Sequence, residues 1–137
     1  MSRPPELHRL LGQWAEKAEH DLITAEHTLK LRKNCPFDTV CFHAQQCAEK
    51  YLKALPVFHS TAFPPQHNLR VLMQLIPADA ALALDGKAVI GLTRYAVDAR
   101  YPGDWESITR EEAKRAVAVA RQVREAVRAK LPQGALN

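Results

Sequence analysis

The chain has 137 residues, 47% of them hydrophobic and 25% charged, which is material for one compact domain and too little for two. Nineteen Lys and Arg against fifteen Asp and Glu leave a net charge of +4, a mildly basic balance that is compatible with an anionic partner without requiring one. No stretch approaches the roughly 20 apolar residues of a membrane span. The opening Met1-Ser2-Arg3-Pro4-Pro5 lacks the apolar core of a signal peptide, so a cytoplasmic protein is expected.

Nine prolines punctuate the chain, and between them lie segments with helical periodicity and no sustained two-residue alternation. Leu7, Leu10, Leu11, Trp14, Ala18, Leu22, Ala25 and Leu29 form an apolar stripe that predicts one long helix to about Arg32. Asn34-Cys35-Pro36 is its stop. Asp38 is placed to cap a second helix ending before Pro56, with Val40, Ala44, Cys47, Ala48, Tyr51 and Leu55 inward. A short helix is expected near 68–76, with Leu69, Leu72, Met73 and Ile76 on its apolar side. Asp79 opens a fourth helical region, interrupted at Gly86, whose stripe continues through Val89, Leu92, Ala96 and Ala99 to Pro102-Gly103. Thr109-Arg110-Glu111-Glu112 reads as a capping box for a last helix, with Ala113, Ala116, Val117, Ala120, Val123 and Val127 inward.

The architecture that follows is all-α: an antiparallel up-and-down bundle of four main helices plus one short helix. It forms a single domain over 1–137, with its core at about 6–131 and short tails at either end. Cys35, Cys41 and Cys47 are spaced by six. On a helix that spacing turns the side chain by about 240°, so Cys41 and Cys47 point apart and small buried thiols are expected in place of a metal site. No cofactor is expected.

Three stretches could carry chemistry. In 45–54, Gln46, Glu49, Lys50 and Lys53 recur at three- and four-residue steps as a polar stripe. A solvated face, with Glu49 and Lys53 as an ion pair, is what the spacing alone favours. In 95–105 a helix end breaks into a turn dense with Arg, Asp and aromatic rings. There Arg100 offers a fork to phosphate and Tyr101 or Trp105 a stacking face; the alternative is that Asp98 and Arg100 only fix the turn. His67, ahead of the short helix, is placed to cap it or to meet an anion at its free amides. On the last helix Arg110, Lys114, Arg121 and Arg128 fall within about 40° of one line, which is usually solvated surface and less often a phosphate track.

Together these stretches resemble the HEPN domain family, named for nucleotide binding in higher eukaryotes and prokaryotes. The resemblance runs through Ala18-Glu19-His20-Asp21-Leu22 and Phe42-His43-Ala44-Gln45-Gln46-Cys47-Ala48-Glu49-Lys50-Tyr51-Leu52-Lys53-Ala54. It continues through His67-Asn68-Leu69, with Asn where the family has Asp, then Arg100-Tyr101-Pro102-Gly103 and Glu111-Glu112-Ala113. It implies a helical bundle that dimerises and often works beside a separately encoded minimal nucleotidyltransferase, in toxin–antitoxin fashion.

On this reading Arg100 would hold a nucleotide or RNA phosphate and Tyr101 would stack. Lys50 and Lys53 would be supporting cations, Gln46 and Glu49 part of the same stripe, and His67 and Asp98 orienting groups. Some family members are metal-independent RNases marked by an Arg with a His four to six residues later. Here all six histidines precede Arg70, and only Arg3 with His8 has that spacing. A metal-independent RNase would therefore need a non-standard pair, with Arg100, His67 or Asp98 as its candidates. A purely protein-docking module is the remaining alternative.

Overall fold

The computed structural model describes residues 4–59, 68–76, 82–96 and 107–136. Among these residues five α-helices run in the order α1 (Pro4–Leu29), α2 (Phe37–Phe58), α3 (Leu69–Gln74), α4 (Gly86–Gly91) and α5 (Arg110–Arg128). Short 3₁₀ turns at Leu92–Ala96 and Gln133–Ala135 complete them, and no strand occurs among the described residues. The all-α expectation holds. Helix α2 is central: it packs along α1 on one side and α5 on the other, with α3 and the first 3₁₀ turn closing over it.

The core is built from the residues that periodicity turns inward. Leu11, Ala18, Leu22 and Ala25 of α1 meet Val40, Ala44, Cys47, Ala48, Tyr51 and Leu55 of α2. Ala113, Ala116, Val117, Ala120, Val123 and Val127 of α5 close the third side. The alanines set the geometry, because small side chains let helix backbones approach closely. At Gly12 the closing 3₁₀ turn also comes close to α1: a Cβ there would lie 2.8 Å from the Ala135 carbonyl oxygen.

Several helix ends differ from the expectations. Helix α1 stops at Leu29, where Arg110 of α5 donates to the Leu29 and Leu31 carbonyls at 2.8 Å each. These are carbonyls that a helix end leaves without partners. Asn34 then takes φ 57°, a left-handed conformation that Asn tolerates, and the chain turns back. Asp38 does not cap α2; it sits inside the first turn, and Pro36 holds the cap position without a side-chain bond.

Nor does Pro56 end α2. It lies inside the last turn, where only one intrahelical N–H is lost, and His59 still donates to Leu55 at 2.9 Å. Asn68 caps α3 by accepting from the Arg70 amide, and His67 lies outside the described residues. Gly86 begins α4 instead of interrupting it, under an Asp85 cap that accepts from Lys87 and Ala88. Asp79 and Ala99 lie outside the described residues. Thr109 caps α5 by accepting from the Glu112 amide, but the reciprocal half of the box is replaced: the Glu112 carboxylate accepts from Arg94 and Tyr95.

Candidate functional site

The polar stripe of α2 is not a solvated face. Glu49 is 2% exposed and Gln45 fully buried, while Lys50 and Lys53 of the same stripe reach Asp21 and Trp14 of α1. Burying a carboxylate is costly unless it is paired and hydrogen-bonded, and the surroundings meet that demand. Gln45 Nε2 donates to Glu49 Oε1 at 2.9 Å and Lys53 Nζ to Glu49 Oε2 at 3.0 Å. Gln46 Nε2 donates in turn to Gln45 Oε1 at 2.7 Å. Lys53 also lies 5.8 Å from the centre of the Trp14 ring, a cation–π contact between the two helices.

One turn nearer the start of α2, Asp21 of α1 is a second hub, only 8% exposed. One carboxylate oxygen accepts from His43 Nδ1 at 2.7 Å and the other from the Lys50 ammonium. His43 and Lys50 each keep about a quarter of their side-chain surface open, at 27% and 25%. The edge of the Phe42 ring meets the imidazole at 5.4 Å between centres.

A third hub joins three helices. Glu19 of α1 accepts from the Tyr51 hydroxyl of α2 and from Arg124 of α5, with Arg128 at 3.3 Å. Burial pushes the Glu19 carboxyl up, but the Tyr51 hydroxyl and the two guanidinium groups outweigh it and hold it below the ordinary carboxylate range. The same packing, together with the bond to Glu19, raises the Tyr51 hydroxyl, which stays a donor. Cys47, buried beside these hubs, has its thiol pushed well up by burial first and then by Glu19 and Asp21. Burial raises Cys41 to about 11, with Glu112 adding to it. Both are free, protonated core thiols, unsuited to nucleophilic work.

The basic line on α5 is neither plain surface nor an open track. Arg121 reaches Glu26 of α1 at 2.5 Å, Arg128 reaches Glu19 and the Tyr51 hydroxyl, and Arg110 caps α1. Lys114 pairs with Glu111 on its own helix at 3.6 Å. Most of that charge ties α5 to α1.

Of the residues singled out from sequence, Gln46, Glu49, Lys50 and Lys53 are therefore brought together, each with a named partner. Arg100, Tyr101, Asp98 and His67 lie outside the described residues. Sequence reasoning assigns no separate role to Asp21, His43, Trp14 and Glu19, although they complete the stripe and the clamp. Their partners stand 22 or more residues away in the chain, which no local spacing reveals.

The HEPN domain family matches residues 11–130, which takes in all three hubs. The chain belongs to the HEPN domain family. TT1696 from Thermus thermophilus superposes with a TM-score of 0.74 at 28% identity, covering 90% of this chain and 99% of that one. ST0689, described as an archaeal HEPN homologue, has the same fold, with a TM-score of 0.67 at 24% identity over 95% and 98% of the two chains. No curated protein matches the sequence.

Proposed function

We propose that this HEPN domain is a dimeric module that holds a nucleotide or RNA phosphate and works with a separately encoded minimal nucleotidyltransferase. Its contacts are Arg100 for phosphate, Tyr101 for stacking, and Lys50 and Lys53 as supporting cations steadied by Gln46 and Glu49. The observation that supports this reading is the run of buried and half-buried charged groups along α2, Glu49 with Lys53 and Lys50 with Asp21 of α1. Packing alone would be served as well by apolar residues, since a buried ion pair adds little net stability over an apolar replacement of similar shape. Charged and amide groups held in fixed positions are what ligand recognition needs.

Titration of the purified chain with nucleotides and short RNA tests the reading. A specific ligand at 100 times its dissociation constant adds about 2.7 kcal/mol of apparent stability, visible as a raised melting temperature. The Arg100→Ala, Lys50→Ala double variant should lose that stabilisation. Equal affinity in wild type and double variant would reject the placement. A stable partner complex with no ligand-dependent stabilisation would favour the docking alternative. Light scattering on the same sample reads the dimer.

A further inference from the structure

We propose that Asp21, His43 and Lys50 form a proton-coupled site for a phosphate monoester, the terminal phosphate of a nucleotide; this rests on the nucleotide reading above. The carboxylate of Asp21 only accepts, so His43 Nδ1 carries a proton whichever form the ring takes. That fixes the tautomer and leaves Nε2 as the nitrogen whose protonation changes. Lys50 occupies the other carboxylate oxygen and keeps spare ammonium protons. With a neutral ring the cluster has no net charge, and with a protonated ring it carries +1.

A dianionic phosphate placed against the open edges of His43 and Lys50 favours the protonated ring. Binding therefore draws a proton from solution onto Nε2, and the Nε2–H then donates to a phosphate oxygen. A phosphodiester, with a single charge, gains less, and a nucleoside without phosphate gains nothing here. The groups around the imidazole agree with this. From α1 it is Asp21, and from α2 they are Lys50, through the shared carboxylate, and the neighbouring Phe42 ring. Glu49, the carboxylate of the α2 stripe, is turned to Gln45 and Lys53.

Calorimetric titration of the full chain with AMP, adenosine and inorganic phosphate, at one pH in buffers of different ionisation heat, tests the site. The pH is set within the window of about 5 to 8 in which histidine side chains exchange charge. AMP should bind at least about tenfold more tightly than adenosine, a difference of about 1.4 kcal/mol, and take up part of a proton. Inorganic phosphate should compete with AMP. His43→Gln, checked for fold by circular dichroism, should lose that advantage and the proton uptake while binding adenosine as before. Wild-type AMP binding without proton uptake overturns the site and needs no variant to fold. Unchanged AMP affinity in His43→Gln overturns it too, and leaves the nucleotide reading standing elsewhere on the chain. A wild type that binds no nucleotide and no RNA rejects that reading and this site together.

Discussion

The Glu19 cluster and the Asp21–Glu49 stripe are built from the same kinds of residue and lie side by side along α1, yet they are organised oppositely. At Glu19 one carboxylate faces a hydroxyl and two guanidinium groups drawn from α2 and α5, so three helices are clamped at one point. Beside it Asp21 accepts from the Lys50 ammonium and the His43 imidazole, and Glu49 accepts from Lys53 and the Gln45 amide, which Gln46 holds in turn. Guanidinium groups bind carboxylates as rigid forks and keep their charge, whereas lysine and histidine are adjustable and, for histidine, titratable. The first arrangement fastens the bundle. The second keeps exchangeable protons on His43 and Lys50, each about a quarter exposed.

The comparison breaks most visibly at Tyr51. Tyr51→Ala should cost about 3–5 kcal/mol in urea unfolding, because it removes a fully buried ring as well as the hydroxyl that bonds Glu19. In the stripe, Glu49→Gln leaves the Lys53 ammonium without its anion and should cost about 1–3 kcal/mol. A value near zero would mean that the stripe carries no such interdependence.

Glu19→Gln should cost somewhat less, about 1–2 kcal/mol, since part of the carboxylate is open to water. Its signature lies in the pH dependence. The folded carboxyl sits below its ordinary value, so its stabilisation is fully present above the ordinary carboxylate range and is lost as pH falls through the lower folded value. Acid unfolding of Glu19→Gln should be correspondingly shallower there than that of wild type, and identical slopes would remove Glu19 from the account. Arg121→Ala, which breaks an exposed pair with Glu26, should cost less than about 1 kcal/mol.

The inward faces of α1, α2 and α5 were legible because apolar periodicity is written locally: Ala113, Ala116, Val117, Ala120, Val123 and Val127 are all buried as expected. Helix ends were less so, since Pro56 in a final turn loses only one bond and Arg110 supplies a cap from 79 or more residues away. The α2 stripe is legible as a group but not as an environment. Spacing shows that Gln46, Glu49, Lys50 and Lys53 share a face, but it does not show that α1 lies over that face with Trp14 and Asp21. Nothing local marks Glu19 as a hub, because its partners Arg124 and Arg128 come from the other end of the chain.

The three thiols form a graded clock. Cys35 is half-buried at the α1–α2 turn, with its Sγ donating to the Thr28 carbonyl, while Cys41 and Cys47 are sealed in the core. Alkylation requires a thiolate at an accessible surface, which burial denies the inner pair twice over. Cys35 should react first, and labelling of Cys47 should then count openings of the helix contacts beside both polar clusters. A bound ligand that tightens the α1–α2 contact would slow that second step, so a mass shift followed over time would register occupancy without any probe attached to the ligand.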